Sequence, residues 1–274
     1  MKKRNLLLLL IASTSFFFSC KENDKNEKNI DSVPLYGSEA NVPSPRTTSV
    51  LDNLKVVPIE HATTVLEWND VTVYVDPTGG AKAFEGQNEP DLILITDIHG
   101  DHLNVETLQE LTTSNISFVV PQAVADQLPE AFNAQLKILN NGETAVLEGI
   151  KIEAIPMYNL REEAKDFHVK GRGNGYVLTL GNERIYFSGD TEDIPEMRNL
   201  QNIDKAFVCM NLPYTMTVER AASAVLDFKP AEVYPYHYRG RPDVSDVSKF
   251  KELVNAGNPK IEVIQLDWYP NEEY

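Results

Sequence analysis

The chain is poor in cysteine, in histidine and in basic residues. Its 274 residues include two Cys, five His and 25 Lys or Arg against 41 Asp or Glu, a formal net charge of −16. Nucleic-acid phosphates are bound by clustered Lys and Arg, so this balance argues against nucleic acid as a partner. The chain also lacks an internal repeat at solenoid spacing. Its length suits one large domain or two small ones.

Long hydrophobic runs are scarce as well. The most apolar segment, LLLLLIASTSFFF, is too short to span a bilayer comfortably. It follows the basic MKKR and precedes Ser19 and Cys20, which predicts a signal peptide over residues 1–19. The FFSC sequence resembles a bacterial lipobox, in which the cysteine becomes the lipidated first residue of the mature protein. That resemblance implies a lipoprotein of the cell envelope, anchored to the membrane through Cys20; an ordinary signal peptide is the alternative.

The region after Cys20 predicts a tether followed by one domain. Residues 20–49 are rich in Asn, Ser, Pro and charge and show little periodicity, which is typical of a flexible segment. Residues 50–274 contain no further low-complexity break, so they are predicted to fold as a unit. Cys209 lies in the apolar run KAFVCMNL and is interpreted as a small buried hydrophobe.

Strand and helix patterns alternate through this domain. Strand-like segments and two helices come first, in the order LKVVPIEH, TVLEW, VTVYVDP, DLILIT, NVETLQELTTS (helix), ISFVVP and a short helix from Pro121 to Leu128. Four further strand segments follow, namely LKILN, ETAVLEGIKIEAIP, GYVLTLG and RIYFSGD. The last part alternates KAFVCM, AEVYPYH and KIEVIQLDW with helices at TVERAASAVLDF and from about Val244 to Asn255. This mixture predicts an α+β fold with two packed sheets and helices outside them.

One short segment concentrates groups that can bind a metal. The six positions directly after a buried strand contain four such residues: Asp97, His99, Asp101 and His102. Imidazole and carboxylate together are the ligands of Zn²⁺ and neighbouring divalent metals. Further candidates lie at other strand ends: His61, His168, Asp190 and His237.

A single His after a strand is more often a hydrogen-bonded residue than a ligand. The joint occurrence of these groups favours a metal site, because burying each of them unpaired costs several kcal/mol.

The DIHGDH segment resembles the H-x-H-x-D-H signature of the metallo-β-lactamase-fold hydrolases. The similarity extends from about Leu51 to Pro270 through HATTVLEW, VYVDP, AIPMYN, FHVKGRGNGY, IYFSGDTEDIPEM and YPYHY. Within that superfamily, the chain is similar to the branch that contains the ascorbate-6-phosphate lactonase and the N-acyl phosphatidylethanolamine phospholipase D. The resemblance implies a four-layer αββα sandwich with its metal site at one edge, between the two sheets.

The resemblance also implies roles for individual residues. His99 would bind a first metal ion, Asp101, His102 and His237 a second, and Asp190 would bridge the two. The cofactors would be two divalent ions, Zn²⁺ foremost with Mn²⁺ or Fe as alternatives. They would share a water, and the resulting metal-bound hydroxide would be the nucleophile. Asp101 is the expected catalytic residue. Residues expected to orient the ligands are Thr96, Thr191 and His61.

Two positions depart from the signature, and both concern the first metal. Asp97 stands where the signature has its first His, and its harder carboxylate would favour Mn²⁺ or Fe more than a three-His site does. Asn159 stands in AIPMYN where a later His is expected, and a neutral amide is a poor zinc ligand. His168, nine residues on, is the candidate replacement, with substrate contact as its alternative. If neither residue completes the site, the chain would bind one ion.

The segment KGRGN adds two cations, Lys170 and Arg172, beside His168. Such cations suit a substrate carboxylate or phosphate, and a solvated surface turn is the alternative. Three tyrosines flank predicted ligands and could donate to an oxyanion or pack in the core: Tyr158, Tyr236 and Tyr238.

These patterns predict a lipid-anchored, metal-dependent hydrolase. It would cleave an ester, lactone or phosphodiester bond of a small-molecule or lipid-derived substrate in the cell envelope. The alternative is a non-catalytic metal-binding or scaffold lipoprotein with a degenerate first-metal site, for which Asp97 and Asn159 are the evidence. The complete second set of ligands favours the enzyme. The oligomeric state and the membrane side stay open.

Overall fold

The computed structural model of the protein describes residues 54–112 and 115–269. The predicted signal peptide, Cys20 and the predicted tether lie outside these residues. Within the described ranges, no helix combines the length and the apolarity needed to cross a bilayer.

The first sheet has six strands that pair in chain order, β1 to β6. They are β1 (Leu54–Glu60), β2 (Thr63–Trp68), β3 (Val71–Val75), β4 (Leu92–Leu94), β5 (Ser117–Val120) and β6 (Leu136–Ile138). Strands β1 to β3 are antiparallel, and the pairs from β3 to β6 are parallel. The carboxyl ends of β3 and β4 therefore lie at the same edge of this sheet.

The second sheet has seven strands in the order β13-β12-β11-β10-β9-β8-β7. They are β7 (Thr144–Leu147), β8 (Ile150–Met157), β9 (Gly173–Leu180), β10 (Glu183–Phe187), β11 (Lys205–Val208), β12 (Glu232–Pro235) and β13 (Glu262–Val263). Pairing is antiparallel from β7 to β10 and parallel from β10 to β13. Parallel pairing places the ends of β10 and β12 at one edge.

Five α-helices accompany the sheets in the described residues. They are α1 (Val105–Leu111), α2 (Gln122–Ala125), α3 (Pro195–Arg198), α4 (Val218–Phe228) and α5 (Val247–Gly257). Polar side chains cap the three longest, because Asn104, Thr217 and Asp246 each accept a hydrogen bond from a backbone N–H of the first turn. These caps fix where each helix begins.

Alternation along the strands separates two hydrophobic clusters. On β4, Leu92 and Leu94 contact the cluster shared with the second sheet, whereas Ile93 contacts a smaller cluster that includes Leu108 of α1. Side chains on a strand alternate between its two faces, so the first sheet is buried on both sides. The larger cluster also contains apolar residues of α4, such as Val225. The layers are helix, sheet, sheet and helix, which confirms the predicted α+β sandwich.

The last predicted strand is shorter than its sequence pattern indicates. Only Glu262–Val263 of KIEVIQLDW pairs with β12. The chain then leaves the sheet, and Trp268 is fully buried in the larger cluster. Packing of the indole therefore overrides the strand propensity of the residues before it.

Candidate metal centre

The site is built from residues that follow strands at the shared edge of the two sheets. Asp76 follows β3, and the segment 97–102 lies between β4 and α1. Asp190 comes three residues after β10, and His237 two residues after β12. Three of the turns at this edge hold a non-glycine residue in left-handed backbone conformation, with φ of 50° at His61, 47° at Asp76 and 45° at His237. That conformation is uncommon for such residues and costs about 1–3 kcal/mol each.

Four side chains converge in what we call the metal cluster: Asp101, His102, Asp190 and His237. His237 Nε2 lies 3.2 Å from Asp190 Oδ1 and 3.4 Å from Asp101 Oδ2. His102 Nε2 lies 3.4 Å from Asp190 Oδ2 and 3.9 Å from Asp101 Oδ1. Metal–ligand bonds of about 2.0–2.2 Å in a tetrahedron separate the ligand atoms by about 3.3–3.6 Å. The observed distances, from 3.2 to 3.9 Å, are close to the separations in a ligand set around one divalent ion.

Unpaired buried atoms support the same reading of the metal cluster. His102 Nε2 and Asp190 Oδ1 are both buried and make no hydrogen bond, although each lies within 3.4 Å of another member of the cluster. Buried polar atoms are nearly always paired, and leaving them unpaired is costly. A divalent cation would supply the missing partner for both atoms, so the donor set fits a metal.

Asp76 fixes the orientation of His102. Its carboxylate accepts a hydrogen bond from the backbone N–H of Thr96 at 2.7 Å and from Thr96 Oγ1 at 2.6 Å. The other carboxylate contact is with His102 Nδ1 at 2.8 Å. A proton on Nδ1 leaves the lone pair of Nε2 directed at the metal cluster. Sequence analysis assigned no role to Asp76, although its place at the end of VYVDP was the available signal.

Charge in the cluster shifts the pKa values of its members. Burial raises the pKa of Asp190, but the charges of His237, His102 and His168 outweigh burial and hold that pKa well below its ordinary value. Burial lowers the pKa of His102, but the charges of Asp190 and Asp76 hold it well above its ordinary value. The metal-free cluster thus keeps its carboxylates ionised beside imidazolium.

A second group of candidate ligands consists of Asp97, His99 and His168, whose ligand atoms lie within 4.8 Å of one another. Asp97 is fully buried and is held by Arg172, with Nε 3.0 Å from Oδ1 and Nη2 2.8 Å from Oδ2. His99 Nδ1 lies 2.8 Å from the same Oδ2. Burial raises the pKa of Asp97, but the hydrogen bond from His99 and neighbouring positive charges lower it overall.

His168 and Asn159 occupy different positions relative to the metal cluster. His168 is buried, and its Nε2 lies 3.1 Å from Asp190 Oδ2. The Asn159 side-chain amide instead donates to the carbonyls of Ala164 and Tyr214, at 2.8 and 2.6 Å. The Asn159 backbone N–H donates to the carbonyl of His168 at 2.9 Å. Asn159 therefore holds the segment that carries His168.

The remaining predicted residues are distributed around the site. Lys170 lies at the surface, with Nζ 2.6 Å from Glu196 Oε1 and 4.4 Å from the centre of the Tyr158 ring. The buried Tyr236 hydroxyl accepts a hydrogen bond from the backbone N–H of Gly189 at 3.0 Å, which supports the turn before Asp190.

Two residues expected to orient ligands contact neighbouring side chains or backbone. His61 Nδ1 lies 2.9 Å from the Tyr269 hydroxyl, and its ring meets that of His237 edge-on. Burial and the charge of His237 lower the pKa of His61 to about 4. Thr191 Oγ1 donates to the Tyr158 carbonyl at 3.0 Å and accepts from the Tyr158 backbone N–H at 3.1 Å.

A cavity of about 560 Å³ opens onto the metal cluster. Asp101, Asp190 and His168 contribute polar groups to its lining. The remaining wall includes residues that sequence analysis missed: Phe167, Asn211, Tyr214, Arg239 and Arg241. These residues lie outside the named strands and helices, and only the folded arrangement brings them to the cavity.

An αββα sandwich with a His and Asp cluster at the shared sheet edge defines a class, the metal-dependent hydrolases of the metallo-β-lactamase fold. Residues 71–238 match the family model described as the Beta-lactamase superfamily domain. A UPF0173 metal-dependent hydrolase of Thermococcus onnurineus is 34% identical over 204 residues, which cover 71% of this chain and 88% of that protein. A UPF0173 metal-dependent hydrolase of Pyrococcus abyssi is 31% identical over 231 residues, which cover 80% of this chain and 98% of that protein. The chain therefore belongs to the UPF0173 metal-dependent hydrolases of the β-lactamase superfamily.

Solved structures agree with this assignment. A crystal structure from Parabacteroides distasonis, described as a metal-dependent hydrolase, has a TM-score of 0.69 and 35% identity and covers 77% of this chain and 92% of that one. Igni18, a metallo hydrolase of Ignicoccus hospitalis, shares the fold with a TM-score of 0.65 at 22% identity, covering 78% and 95%. The predicted superfamily and the predicted hydrolase class are confirmed.

Proposed function

We propose that this hydrolase cleaves an ester, lactone or phosphodiester bond in a small-molecule or lipid-derived substrate of the cell envelope. We further propose Zn²⁺ as its metal, with Mn²⁺ or Fe as alternatives, bound by Asp101, His102, Asp190 and His237. The observation that carries the proposal is the pair of unpaired buried atoms, His102 Nε2 and Asp190 Oδ1, beside a cavity open to substrate.

The chain's own residues prepare this chemistry. When bound, a divalent ion supplies Lewis acidity and lowers the pKa of a coordinated water. Asp76 holds His102 in the tautomer that leaves Nε2 free. The Asp101 side chain is 39% exposed and lines the cavity, so its carboxylate can accept a proton next to a bound substrate. This position supports the catalytic role expected for Asp101.

The cavity suggests the kind of substrate. A volume of about 560 Å³ suits a small molecule or a lipid headgroup. Phe167 and Tyr214 meet edge-to-face on one wall, with ring centres 5.2 Å apart, and offer an apolar surface. Arg241 is exposed on the same cavity, and its side chain makes no ion pair within the described residues. We therefore propose a substrate with an anionic group beside an apolar one.

The second candidate function is a non-catalytic metal-binding lipoprotein. The observation in its favour is the ion pair that Arg172 forms with Asp97, because it occupies a carboxylate expected to bind metal. The metal cluster itself carries no such pair with Lys or Arg in the described part of the chain, and this favours the enzyme.

An assay of substrate turnover distinguishes the proposed hydrolase from the non-catalytic metal-binding protein. Detergent-solubilised full-length protein would be stripped of metal, reconstituted with Zn²⁺, Mn²⁺ or Fe²⁺, and assayed against lactones, thioesters and phosphodiesters. We expect metal-dependent turnover that His237→Ala abolishes and that Lys170→Met, a surface control, retains. Metal uptake without turnover on any substrate class would instead support the binding protein.

We also propose that a lipid on Cys20 anchors the protein to the membrane of the cell envelope. The order of a basic segment, an apolar segment and FFSC supports this proposal. Radiolabelled palmitate should label the wild type and fail to label Cys20→Ser. An unlabelled wild-type protein would contradict the anchor.

A further inference from the structure

Two groups of candidate ligands lie side by side, and they differ in how far their donors are already satisfied. The metal cluster contains buried atoms without partners. We call the other group, Asp97, His99, His168 and Arg172, the arginine cluster. It resembles a metal site in which a side-chain cation is already present.

Arg172 contacts two of the three candidate ligands in its cluster. Its Nε and Nη2 form a fork on the Asp97 carboxylate, at 3.0 and 2.8 Å. Nη2 also lies 3.4 Å from His99 Nε2 and donates to the carbonyl of Phe167. Because His99 Nδ1 faces Asp97 at 2.8 Å, both imidazole nitrogens face existing partners. The Asp97 carboxylate and both His99 nitrogens thus face existing partners, whereas His168 Nδ1 is the member of this group that is buried without a hydrogen-bond partner.

Electrostatics reinforces this difference between the clusters. A guanidinium stays charged at every pH that a protein tolerates, and it binds a carboxylate best through a two-point fork. The Asp97 side chain is fully buried and that of Arg172 is 18% exposed, so water screens their interaction weakly. A divalent ion bound to Asp97 would lie beside this fixed positive charge and be repelled by it. No Lys or Arg in residues 54–112 or 115–269 forms an ion pair with Asp101 or Asp190.

We propose that the guanidinium of Arg172 takes the place of a second metal ion, and that the chain binds one divalent ion, in the metal cluster. Arg172 is then a positioning residue that balances the charge of Asp97 and orients His99 beside the ion. His168 of the arginine cluster also faces the metal cluster, with its Nε2 3.1 Å from Asp190 Oδ2, and lines the cavity. The inference rests on the proposed metal cluster of the hydrolase and specifies its stoichiometry.

Metal stoichiometry tests the proposal independently of activity. Purified full-length protein would be titrated with Zn²⁺ by calorimetry and analysed by mass spectrometry of bound metal after dialysis. We expect one equivalent for the wild type and near zero for His237→Ala. Arg172→Met should rise to two equivalents, because Asp97 regains a free carboxylate. Lys170→Met removes a cation from the same segment that pairs with Glu196, and it should stay at one.

Manganese gives a second readout. Mn²⁺ bound to the wild type should give the paramagnetic resonance spectrum of an isolated ion, and Mn²⁺ bound to Arg172→Met that of an exchange-coupled pair. Since Arg172→Met strands a buried charge, the double variant with Asp97→His and Arg172→Met removes that charge and supplies a neutral ligand instead. It should also bind two ions.

Each outcome of these metal-binding measurements either supports or overturns the inference. Two ions in the wild type, or a coupled Mn²⁺ pair, would overturn the inference and leave the proposed hydrolase intact. One ion in the wild type and still one in both folded variants would also overturn it, because the ion pair would then not be what excludes the second metal. No bound metal in the wild type would refute the proposed metal cluster itself. If neither variant folds, the wild-type stoichiometry alone decides.

Discussion

The carboxylate of Asp76 lies 2.8 Å from Nδ1 of His102, and both side chains are completely buried. Asp76 is thus not a candidate ligand, but it determines which nitrogen of His102 faces Asp190. The other hydrogen bonds to the Asp76 carboxylate come from Thr96, at the end of the strand segment that leads into DIHGDH. Asp76, at the end of β3, therefore orients His102, a candidate ligand that follows the neighbouring strand β4.

Replacing Asp76 with Asn should weaken metal binding without removing a ligand. The amide can donate to Nδ1, which favours a proton on Nε2 and blocks the lone pair that the metal needs. Loss of such a supporting carboxylate lowers metal affinity by roughly 10-fold to 100-fold. Competition with a chromophoric chelator measures this change. Asp91→Asn is the matched control, because Asp91 accepts a backbone N–H from Thr72 before β4, away from the cluster. Equal affinities for both variants would contradict the role of Asp76.

Metal binding should release protons near neutral pH. The pKa of His102 in the metal-free protein is held well above its ordinary value: burial lowers it, and the charges of Asp190 and Asp76 raise it more. His102 therefore carries a proton up to a higher pH than in the unfolded chain. Its contribution to stability is complete below the unfolded pKa and is lost as pH rises through the folded pKa. A metal must displace this proton, so affinity should rise with pH.

Calorimetry in two buffers of different ionisation enthalpy measures that release. At pH 7.5 we expect about one proton released per ion bound, from the requirement that a ligating imidazole be neutral. His102→Ala should abolish tight binding together with proton release. Identical binding heats in both buffers would show that His102 is already neutral.

Asn159→Ala should reduce stability more than it affects metal ligation. The buried amide donates to two carbonyls, and leaving such groups unpaired costs about 1–3 kcal/mol. Urea unfolding of the metal-free protein measures the loss. Asn199→Ala is the control, because its exposed amide donates to the Pro195 carbonyl and should matter little. Unchanged metal-free stability with lost metal would instead identify Asn159 as a ligand.

Arg241→Gln should raise KM for anionic substrates and leave kcat nearly unchanged. The guanidinium is exposed, so loss of its charge is expected to cost only about threefold to tenfold in kcat/KM. Neutral esters should be unaffected. Lys170→Gln, which removes a nearby cation paired with Glu196, is the control. Equal effects on charged and neutral esters would contradict recognition of an anion by Arg241.

The sequence predicted the fold well where burial determines local structure. The apolar segments of β4 and β10 are followed by polar residues from Thr96 and Ser188 onward, and parallel pairing gathers the candidate ligands that follow these strands. The final strand was predicted too long, because the burial of Trp268 is a tertiary effect. Membership of the fold class was implied by the resemblance of DIHGDH to the signature of the metallo-β-lactamase-fold hydrolases.

The sequence could not distinguish the two cations of KGRGN. Lys170 and Arg172 are two positions apart in one segment, and a substrate role was considered for both. The structure places Arg172 on Asp97 and Lys170 on Glu196. Which acid each reaches depends on how residues 159–172 cross the sheet edge, and no local pattern encodes that path. Arg241 was missed for the same reason.

The left-handed conformations of His61, Asp76 and His237 have a consequence for how this centre can evolve. Glycine would relax the main chain at each position, and Asn would fit it better than most residues. Neither replaces an imidazole as a ligand or a carboxylate as an anionic support. Selection for a more robust fold and selection for metal retention therefore favour different residues at Asp76 and His237. Improved folding is more readily gained elsewhere in the chain, with these turns left unchanged.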